Sequence, residues 1–444
     1  MDKTFAKPTL KKIGDKLSKA NKPFMKTYPG ESSDRQPVHT VYGGAHLFSS
    51  QVVSKFRETA LRTLKEYAPT PAALARSLEV PANDRIWGKV YERVLRKLEQ
   101  EPLEDFRIDF EDGYGNRPDQ EEDQHAEAAA NEVAKGMKEG TLPPFIGIRI
   151  KPFSEMTFPR SIRTLDIFVT TLTKQTKGRL PNHFVVTLPK VVIRDQVEAL
   201  VTAFEALEKK NKIKPGSLRY EFMVETPQSI IGPDGVSPLR SFVTAGKGRC
   251  VGAHLGTYDY TAGVGITAAY QTMDHLACDF AKQMMKVSLT GTGVFLSDGA
   301  TNVMPVGPHK GALSENQRHE NMMVVHRAWR LGYSHIRHSL ASGYYQGWDL
   351  HPAQLPIRYA AVYSFFLESL ESATDRLKGF MEKAARATLL GDTFDDAATG
   401  QGLFNFFLCA MGCGAIGENE VTATGLTLEE IQTRSFLKIL EARK

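Results

Sequence analysis

Hydrophobic residues along this chain form short runs that alternate with longer stretches of helical periodicity. Eight of the short runs are rich in β-branched and aromatic residues and end near a polar residue or glycine, which predicts β-strands. Their predicted bounds are 38–43, 106–111, 145–151, 183–191, 220–225, 249–255, 293–297 and 345–351. The runs at 145–151 and 183–191 are almost continuously apolar, as expected for strands that are buried on both faces.

The stretches between these runs have the spacing of amphipathic helices. The clearest is 194–210, where apolar residues three and four apart share one face; they are Val197, Leu200, Val201, Phe204 and Leu207. Further helices are predicted at 50–67, 121–138, 268–287 and 312–331. Strand–helix alternation predicts an α/β fold, and eight repeats favour a closed (β/α)8 TIM barrel over an open doubly wound sheet. The open sheet would also need a Gly-rich turn after an early strand, which this sequence lacks.

Three segments lie outside the alternation. Residues 1–35 form a basic N-terminal arm or helix, and 36–355 form the predicted barrel. An insertion at 69–104, after strand 1, contains a Pro/Ala-rich turn and a helix at 85–100. Residues 356–444 are predicted to be a helical C-terminal extension, serving as a lid or an oligomer contact.

Composition and charge restrict the class of protein. Of 444 residues, 41% are hydrophobic and 24% charged, which is typical of a globular protein. No segment resembles a membrane span or a signal peptide, so we expect a cytoplasmic protein without membrane insertion. The four cysteines (250, 278, 409 and 413) are too scattered for a disulfide framework and predict free thiols.

The net charge of +5 comes from the N-terminal arm. Residues 1–30 hold eight lysines against Asp2 and Asp15, and the remainder of the chain is close to neutral. This distribution favours a solvated arm or packed terminal helix over one that contacts anions, and nucleic acid is not an expected partner.

Candidate chemistry lies at the strand ends, where the active sites of barrels are found. Six ends carry polar residues: Asp109–Asp112, Arg149–Lys151, Pro189-Lys190, Glu225-Thr226, Gly256–Asp259 and Asp349–Pro352. Because isolated charges are costly to bury, we expect these ends to converge on an ionic ligand. Carboxylates with an Arg and a Lys suit Mg²⁺, with Mn²⁺ as the alternative, together with an anionic substrate. Structural alternatives are turn or cap roles for Asp109, Asp112 and His351, while His46 is a candidate base.

These strand ends resemble the motifs of a known family. They read Asp109-Phe110-Glu111-Asp112, Ile148-Arg149-Ile150-Lys151, Leu188-Pro189-Lys190-Val191, Val224-Glu225-Thr226, Gly256-Thr257-Tyr258-Asp259 with Gly263 and Gly265, and Leu350-His351-Pro352-Ala353-Gln354. In this order they resemble a divergent member of the aldolase/citrate lyase family, in the citrate lyase β-subunit and malyl-CoA lyase branch of the phosphoenolpyruvate/pyruvate-binding barrels.

The resemblance implies a role for each residue. Glu225 and Asp259 would ligate the metal, Arg149 would bind the substrate carboxylate or polarise its carbonyl, and the Asp109–Asp112 group would hold metal-bound waters or orient Arg149. We therefore predict as catalytic Arg149, Asp112 and Lys190, and as substrate-binding Arg149, Glu111, Thr226, Gly256 and Thr257. Three residues depart from the family pattern: Lys151 stands for Asn, Tyr258 for Glu, and Asp112 for the His of related hydroxy-oxo-acid aldolases.

The expected function is a Mg²⁺-dependent carbon–carbon lyase or aldolase. It would act through a metal-stabilised enolate of a 2-oxo acid such as pyruvate, or of an acyl-CoA thioester, although the sequence holds no separate sign of coenzyme A binding. The alternatives are a phosphoenolpyruvate-linked phosphotransferase, with Lys151, Lys190 and the Gly-rich stretch of the C-terminal extension contacting phosphate, and a non-catalytic homologue that binds a metal or ligand. The resemblance also implies a homo-oligomer.

Overall fold

The computed structural model contains a closed barrel of eight parallel strands in chain order, which confirms the predicted fold class. It describes residues 4–32, 34–81, 83–382, 388–390, 393–395, 397–433 and 436–443. The barrel strands are β1 (His39–Gly44), β2 (Asp105–Asp109), β3 (Phe145–Arg149), β4 (Phe184–Leu188), β5 (Arg219–Val224), β6 (Cys250–Leu255), β7 (Phe295–Ala300) and β8 (Gln346–Asp349). Each strand overlaps one of the eight predicted runs.

Helices connect and surround the strands. They are α1 (Lys7–Thr27), α2 (Val52–Tyr67), α3 (Pro71–Ser77), α4 (Asp84–Gln100), α5 (Asp119–Glu139), α6 (Phe158–Thr176), α7 (Arg194–Asn211), α8 (Pro227–Ile230), α9 (Leu239–Ala245), α10 (Thr257–Gly263), α11 (Leu276–Leu289), α12 (Glu315–Ala341), α13 (Leu355–Glu382), α14 (Ala397–Gly412), α15 (Glu418–Thr422), α16 (Leu428–Gln432) and α17 (Phe436–Ala442). The helix predicted at 268–287 was placed too early, because His275 accepts the Ala277 N–H and so caps α11 there.

The predicted insertion packs against the last barrel helix. Its helix α4 buries Trp87, Val90, Val94 and Leu98, whose spacing gives α4 a single apolar face. That face lies on α13, the helix that follows β8. The insertion is therefore part of a second hydrophobic cluster beside the barrel, shared with α12, α13 and α14.

The C-terminal extension is described only in part. Residues 383–387, 391–392, 396, 434–435 and 444 of the predicted extension lie outside the described residues. Most of the remainder is helical, but the short strands β9 (Thr388–Leu390) and β10 (Thr393–Asp395) pair in an antiparallel hairpin. None of the four cysteines, all of which lie in the described part of the chain, forms a disulfide, as predicted. Over the described part of the chain, no helix has the length and apolar character needed to cross a bilayer.

Charged residues fill the amino-terminal half of the barrel interior. The Arg107 guanidinium donates to Glu221 through Nε at 2.7 Å and Nη2 at 2.9 Å, and it also pairs with Asp105. His254 Nε2 lies 2.9 Å from the second oxygen of Glu221 and its Nδ1 accepts the Trp348 indole N–H. These side chains are almost completely buried, so their mutual pairing is what makes an ionic barrel interior tolerable.

We expect the substitution Arg107→Met to lower the free energy of unfolding by ~3–5 kcal/mol, because it leaves the Glu221 carboxylate buried without its partner. The measurement is urea denaturation of both proteins. Arg194→Met is the matched control: it removes an exposed ion pair with Glu198 and should cost less than ~1 kcal/mol. Equal losses in the two variants would contradict a structural role for the interior network.

Candidate functional site

The carboxyl ends of β2 to β6 bring most of the predicted site residues to one mouth of the barrel. Asp109 and Arg149 are neighbours in the parallel register of β2 and β3. Lys190 follows β4, Glu225 follows β5, and Asp259 lies in the first turn of α10, just after β6. The predicted convergence is therefore observed for five strands.

Asp109 fixes the orientation of Arg149 by a two-point contact. Its carboxylate accepts from Arg149 Nε at 2.7 Å and from Nη2 at 2.5 Å, while Arg149 Nη1 remains directed at Glu111 Oε2, 3.1 Å away. Although burial opposes ionisation, the Arg149 charge lowers the pKa of Asp109. Both side chains are buried, so this fork holds the guanidinium in a single geometry.

An aromatic floor supports the guanidinium from below. Tyr42 of β1 and Trp348 of β8 stack with their ring centroids 4.3 Å apart, and the Arg149 guanidinium carbon lies 4.7 Å from the Tyr42 centroid. Neither aromatic residue was predicted from the sequence. The available signal was the position of each aromatic at an inward-facing site near a strand end, but the pairing joins the first and last strands and needs the closed barrel.

Lys190 occupies the centre of a group of carboxylates. Its ammonium nitrogen lies 2.5 Å from Glu111, 3.5 Å from Asp112 and 3.7 Å from Asp259. Burial opposes the charge, but Glu225 and Glu111 raise the pKa of Lys190 above its usual value. Lys190 is consequently a fixed cation at neutral pH and unsuited to act as a base.

The backbone at Lys190 is also specialised. Its φ of 52° lies in the left-handed region that non-glycine residues seldom adopt. In this conformation the Lys190 N–H donates to Glu225 Oε1 at 2.6 Å, so the loop after β4 positions the Glu225 carboxylate. Strained backbone held by such a contact is typical of functional sites.

Glu225 is the most unusual acid of the mouth. It is 1% exposed, and burial, with added repulsion from Glu111 and Asp259, raises the pKa of Glu225 to about 8. A Cβ at Gly256 would lie 2.6 Å from Glu225 Oε2, so glycine is required at this predicted site position. The close approach places the start of α10 directly against the carboxylate.

Two buried hydroxyls flank these residues. The Oγ1 atoms of Thr226 and Thr257 have no hydrogen-bond partner among the described residues. Buried polar atoms are almost always paired, so these two oxygens are exceptions, and they belong to residues that directly follow Glu225 and Gly256 in the chain. Both threonines were predicted as substrate-binding.

The donor set fits a hard divalent cation. Five carboxylates (Asp109, Glu111, Asp112, Glu225 and Asp259) face two cations, Arg149 and Lys190, so negative charge is in excess. Among the described residues, no group of three or more His, Cys, Asp or Glu side chains could hold a metal by itself. Magnesium commonly takes one or two carboxylates and completes its shell with water and substrate oxygens, so Glu225 and Asp259 match that requirement.

The end of β8 does not join the mouth, contrary to expectation. Asp349 turns outward and pairs with Arg358 of α13 and with His39 Nδ1, 3.0 Å away. His351 Nδ1 accepts the Ala353 N–H at 3.1 Å, which is the capping alternative. Because Asp349 points outward, its carboxylate pairs with Arg358 of α13, the last barrel helix, and does not face the mouth.

Lys151 and His46 lie to the side of the mouth. The Lys151 ammonium contacts Glu122 of α5 at 2.8 Å and the Phe110 carbonyl at 2.5 Å. His46 lies against Tyr114, with 5.7 Å between ring centroids, and burial, with the charge of Arg117, lowers the pKa of His46. Lys151 is thus committed to a structural ion pair.

Two cavities of the described structure lie outside the mouth. One, of about 460 Å³, opens at the amino ends of the strands and is lined by Asp105, Arg107, Glu221 and His254. These groups satisfy one another, as described above, whereas the mouth holds unpaired hydroxyls and excess carboxylates. Chemistry therefore favours the carboxyl-end mouth as the candidate active site over the cavity at the opposite end.

Comparisons with known proteins identify the family and the fold. The family model described as "Domain of unknown function (DUF6986)" matches residues 17–439. A citrate lyase from Burkholderia xenovorans has a TM-score of 0.54 and 18% identity, covering 76% of this chain and 92% of its own. At this identity the likeness shows a shared fold, and it confirms the predicted resemblance to citrate lyase-type barrels at that level.

Two further solved structures are more distant. The CitE protein from Mycobacterium tuberculosis, in complex with magnesium, acetoacetate and coenzyme A, has a TM-score of 0.47 at 14% identity, covering 86% of this chain and 100% of its own. A Haloferax volcanii malate synthase in a magnesium/glyoxylate complex has a TM-score of 0.47 at 13% identity, covering 91% of this chain and 96% of its own. No curated protein sequence matches the chain.

We predict that Glu225 gives the metal-free protein a distinctive pH dependence. A folded-state pKa of about 8 exceeds the ordinary value of 4.5, so the folded protein binds the proton more tightly than the unfolded chain. This contribution to stability is present below pH 4.5 and is lost as the pH rises to about 8. Thermal unfolding in a chelator, compared between wild type and Glu225→Gln, measures it.

The variant should lack this decline between those pH values, whereas Glu155→Gln, an exposed control, should keep it. Parallel profiles for wild type and Glu225→Gln would show that the Glu225 carboxyl ionises as an ordinary surface acid.

Proposed function

The chain belongs to the DUF6986 family, and from the geometry of its barrel mouth we propose that it is a Mg²⁺-dependent carbon–carbon lyase acting on a 2-oxo acid. The observation that supports this most directly is the surplus of carboxylates around Glu225, which is buried and has a raised pKa. A divalent cation between Glu225 and Asp259 would neutralise that surplus. Mn²⁺ satisfies the same donor set.

The bound ion would supply Lewis acidity toward the adjacent oxygens of the substrate. Side chains of the protein would bind the substrate, stabilise its developing charge and accept its proton. Arg149, held by Asp109 on the Tyr42 ring, presents Nη1 to the mouth as a fixed donor for a carboxylate or an enolate oxygen. A donor already in position stabilises developing negative charge without reorganising.

Asp112 is the proposed proton acceptor. Its side chain is 57% exposed and lies 3.9 Å from Arg149 Nη1 and 3.5 Å from Lys190 Nζ, beside the groups that would hold the substrate. Removal of a proton from the carbon next to the substrate carbonyl leaves its electron pair in a new C=C bond and moves the carbonyl π pair onto oxygen. That oxygen faces Arg149, while Lys190 contributes positive charge and holds Glu111. The enolate carbon then attacks an acceptor carbonyl, or the reverse reaction cleaves that bond.

The phosphotransferase alternative has less support. It relied on two lysines and the Gly-rich stretch of the C-terminal extension, and Lys151 is paired with Glu122 outside the mouth. Two other hypotheses remain: a lyase that acts on an acyl-CoA thioester, and a homologue without catalytic activity. The experiments below distinguish both from a lyase that acts on a 2-oxo acid.

Proton NMR of pyruvate in D2O tests the proposal without a second substrate. We expect the methyl signal to disappear with enzyme and Mg²⁺ but to persist with a chelator. Glu225→Gln and Asp259→Asn should each slow exchange by at least ~100-fold, because each removes a ligand oxygen charge. Asp234→Asn, in an exposed turn, should exchange at the wild-type rate.

Calorimetric titration with Mg²⁺ alone shows whether a failure of pyruvate exchange comes from a lack of metal binding or from a different substrate. Magnesium binding without exchange would move the proposal to thioesters or to a silent site. An absence of binding in wild type, or unchanged binding in Glu225→Gln, would refute the ligand assignment.

We further expect Arg149→Lys to slow exchange by ~10²–10³-fold, since lysine keeps the charge but cannot form the two-point contact with Asp109. Magnesium affinity should stay near the wild-type value, because Arg149 is not a ligand. Arg163→Lys, at an exposed ion pair with Asp123, is the matched control and should leave the rate unchanged. A normal exchange rate in Arg149→Lys would remove Arg149 from the mechanism.

A further inference from the structure

Helix α1 has two opposite faces of different chemistry. With 3.6 residues per turn, five of its apolar side chains fall within an arc of about 80°; they are Leu10, Ile13, Leu17, Ala20 and Phe24. Six of the seven lysines lie on the opposite half of the helix, at positions 7, 11, 12, 19, 22 and 26, and Lys16 lies just outside that half. Asp15 is the only acid of the helix.

The apolar stripe lacks a covering within the described chain. Every residue of α1 is exposed, and Leu10, Ile13, Leu17 and Phe24 are 52%, 46%, 56% and 62% accessible. Four large apolar side chains in one continuous row are more than the scattered exposed residues of an ordinary surface. The row therefore indicates an interaction surface.

We propose that α1 binds the surface of a bilayer that contains anionic phospholipids. Lying in the plane of the headgroups, it would insert its apolar stripe between the lipid chains while its lysines contact the negative headgroups. A basic polar face, a Leu- and Phe-containing apolar face and low overall hydrophobicity are the combination that such helices share. Lysines at the borders of the stripe can extend their ammonium groups to the headgroup level.

Charge favours a lipid surface over a second copy of this chain. A second copy could cover the stripe, but residues 31–444 are close to neutral overall and offer no general complement to seven lysines. Nucleic acid would complement the lysines but leave the apolar stripe in water. Of these three partners, an anionic bilayer surface is the one that uses both faces at once.

The attachment of α1 fixes which way the barrel would face. After the helix, Tyr28 lies under the Arg240 guanidinium at 4.3 Å. The Gly30 N–H donates to the Gly291 carbonyl at 3.0 Å, and Glu31 accepts the Gly291 N–H at 2.9 Å. Gly291 lies between α11 and β7, at the amino ends of the strands. The docked protein would therefore turn its active-site mouth away from the lipid and toward soluble substrates.

Vesicle co-sedimentation of the full chain tests the proposal. We expect at least ~10-fold more protein on vesicles of phosphatidylcholine with phosphatidylserine than on phosphatidylcholine alone, and release at high salt, where charge is screened. The double variant Leu17→Asp/Phe24→Asp should lose this binding. Its control, Leu276→Asp/Val287→Asp, changes two exposed apolar residues of α11 and should bind normally.

A second pair of variants isolates the charge. Replacement of Lys11, Lys12, Lys19 and Lys22 by Gln should reduce binding by at least ~10-fold, whereas the same change at the exposed Lys174, Lys209, Lys210 and Lys214 should not. All variants alter exposed side chains, so thermal unfolding should match wild type.

The remaining outcomes would overturn the proposal. These are no binding to either vesicle, equal binding to both, or loss of an oligomer by light scattering in Leu17→Asp/Phe24→Asp without any vesicle binding in wild type, which would assign the stripe to a second copy. Retention on DNA that survives this double variant, with no vesicle binding, would assign the lysines to nucleic acid. Pyruvate exchange is independent of α1, so either proposal can fail alone.

Discussion

A guanidinium buried in a barrel is stable only when its donors are paired and its plane is supported. Arg149 meets both conditions through Asp109, its register neighbour on β2, and through the Tyr42 ring beneath it. The contact consumes Nε and Nη2 and leaves Nη1 directed at Glu111. The remaining mouth is arranged around this fixed cation: Glu111 reaches Lys190, and the Lys190 backbone in turn holds Glu225. Removing one side chain of this charged network would leave charges that the remaining side chains cannot balance.

The two ends of the barrel interior use similar residue types to opposite effect. At the amino end, Arg107, Glu221 and His254 satisfy one another and close the interior. At the carboxyl end, carboxylates outnumber cations, and the hydroxyls of Thr226 and Thr257 lack partners in the described structure. Completed pairing gives a rigid support, while incomplete pairing gives affinity for ligands. The same fold thus separates a self-paired ionic interior from the candidate active site along the barrel axis.

The additions to the barrel also divide by role. The insertion helix α4 and the helices α12 to α14 bury a common apolar cluster, which stiffens the side of the barrel that contains β8 and Arg358. Helix α1 has the same amphipathic periodicity as these helices but is exposed along its whole length. Periodicity alone therefore does not tell whether a helix covers a core or awaits an external partner. The lysines opposite its stripe are what distinguish α1.

The sequence alone determined the alternation of strands and helices and the residues at each strand end. These features are local, because periodicity and strand termination depend on neighbouring residues. They sufficed to predict the barrel and to select Glu225, Asp259, Arg149 and Lys190 as candidate site residues. Only the tertiary structure decided which of the charges meet. Arg107 and Glu221 are 114 positions apart, and Tyr42 pairs with Trp348 across the closure of the barrel. At a strand end a shift of one residue reverses the side-chain direction, and so Asp349 faces outward to Arg358 while Arg149 faces the mouth.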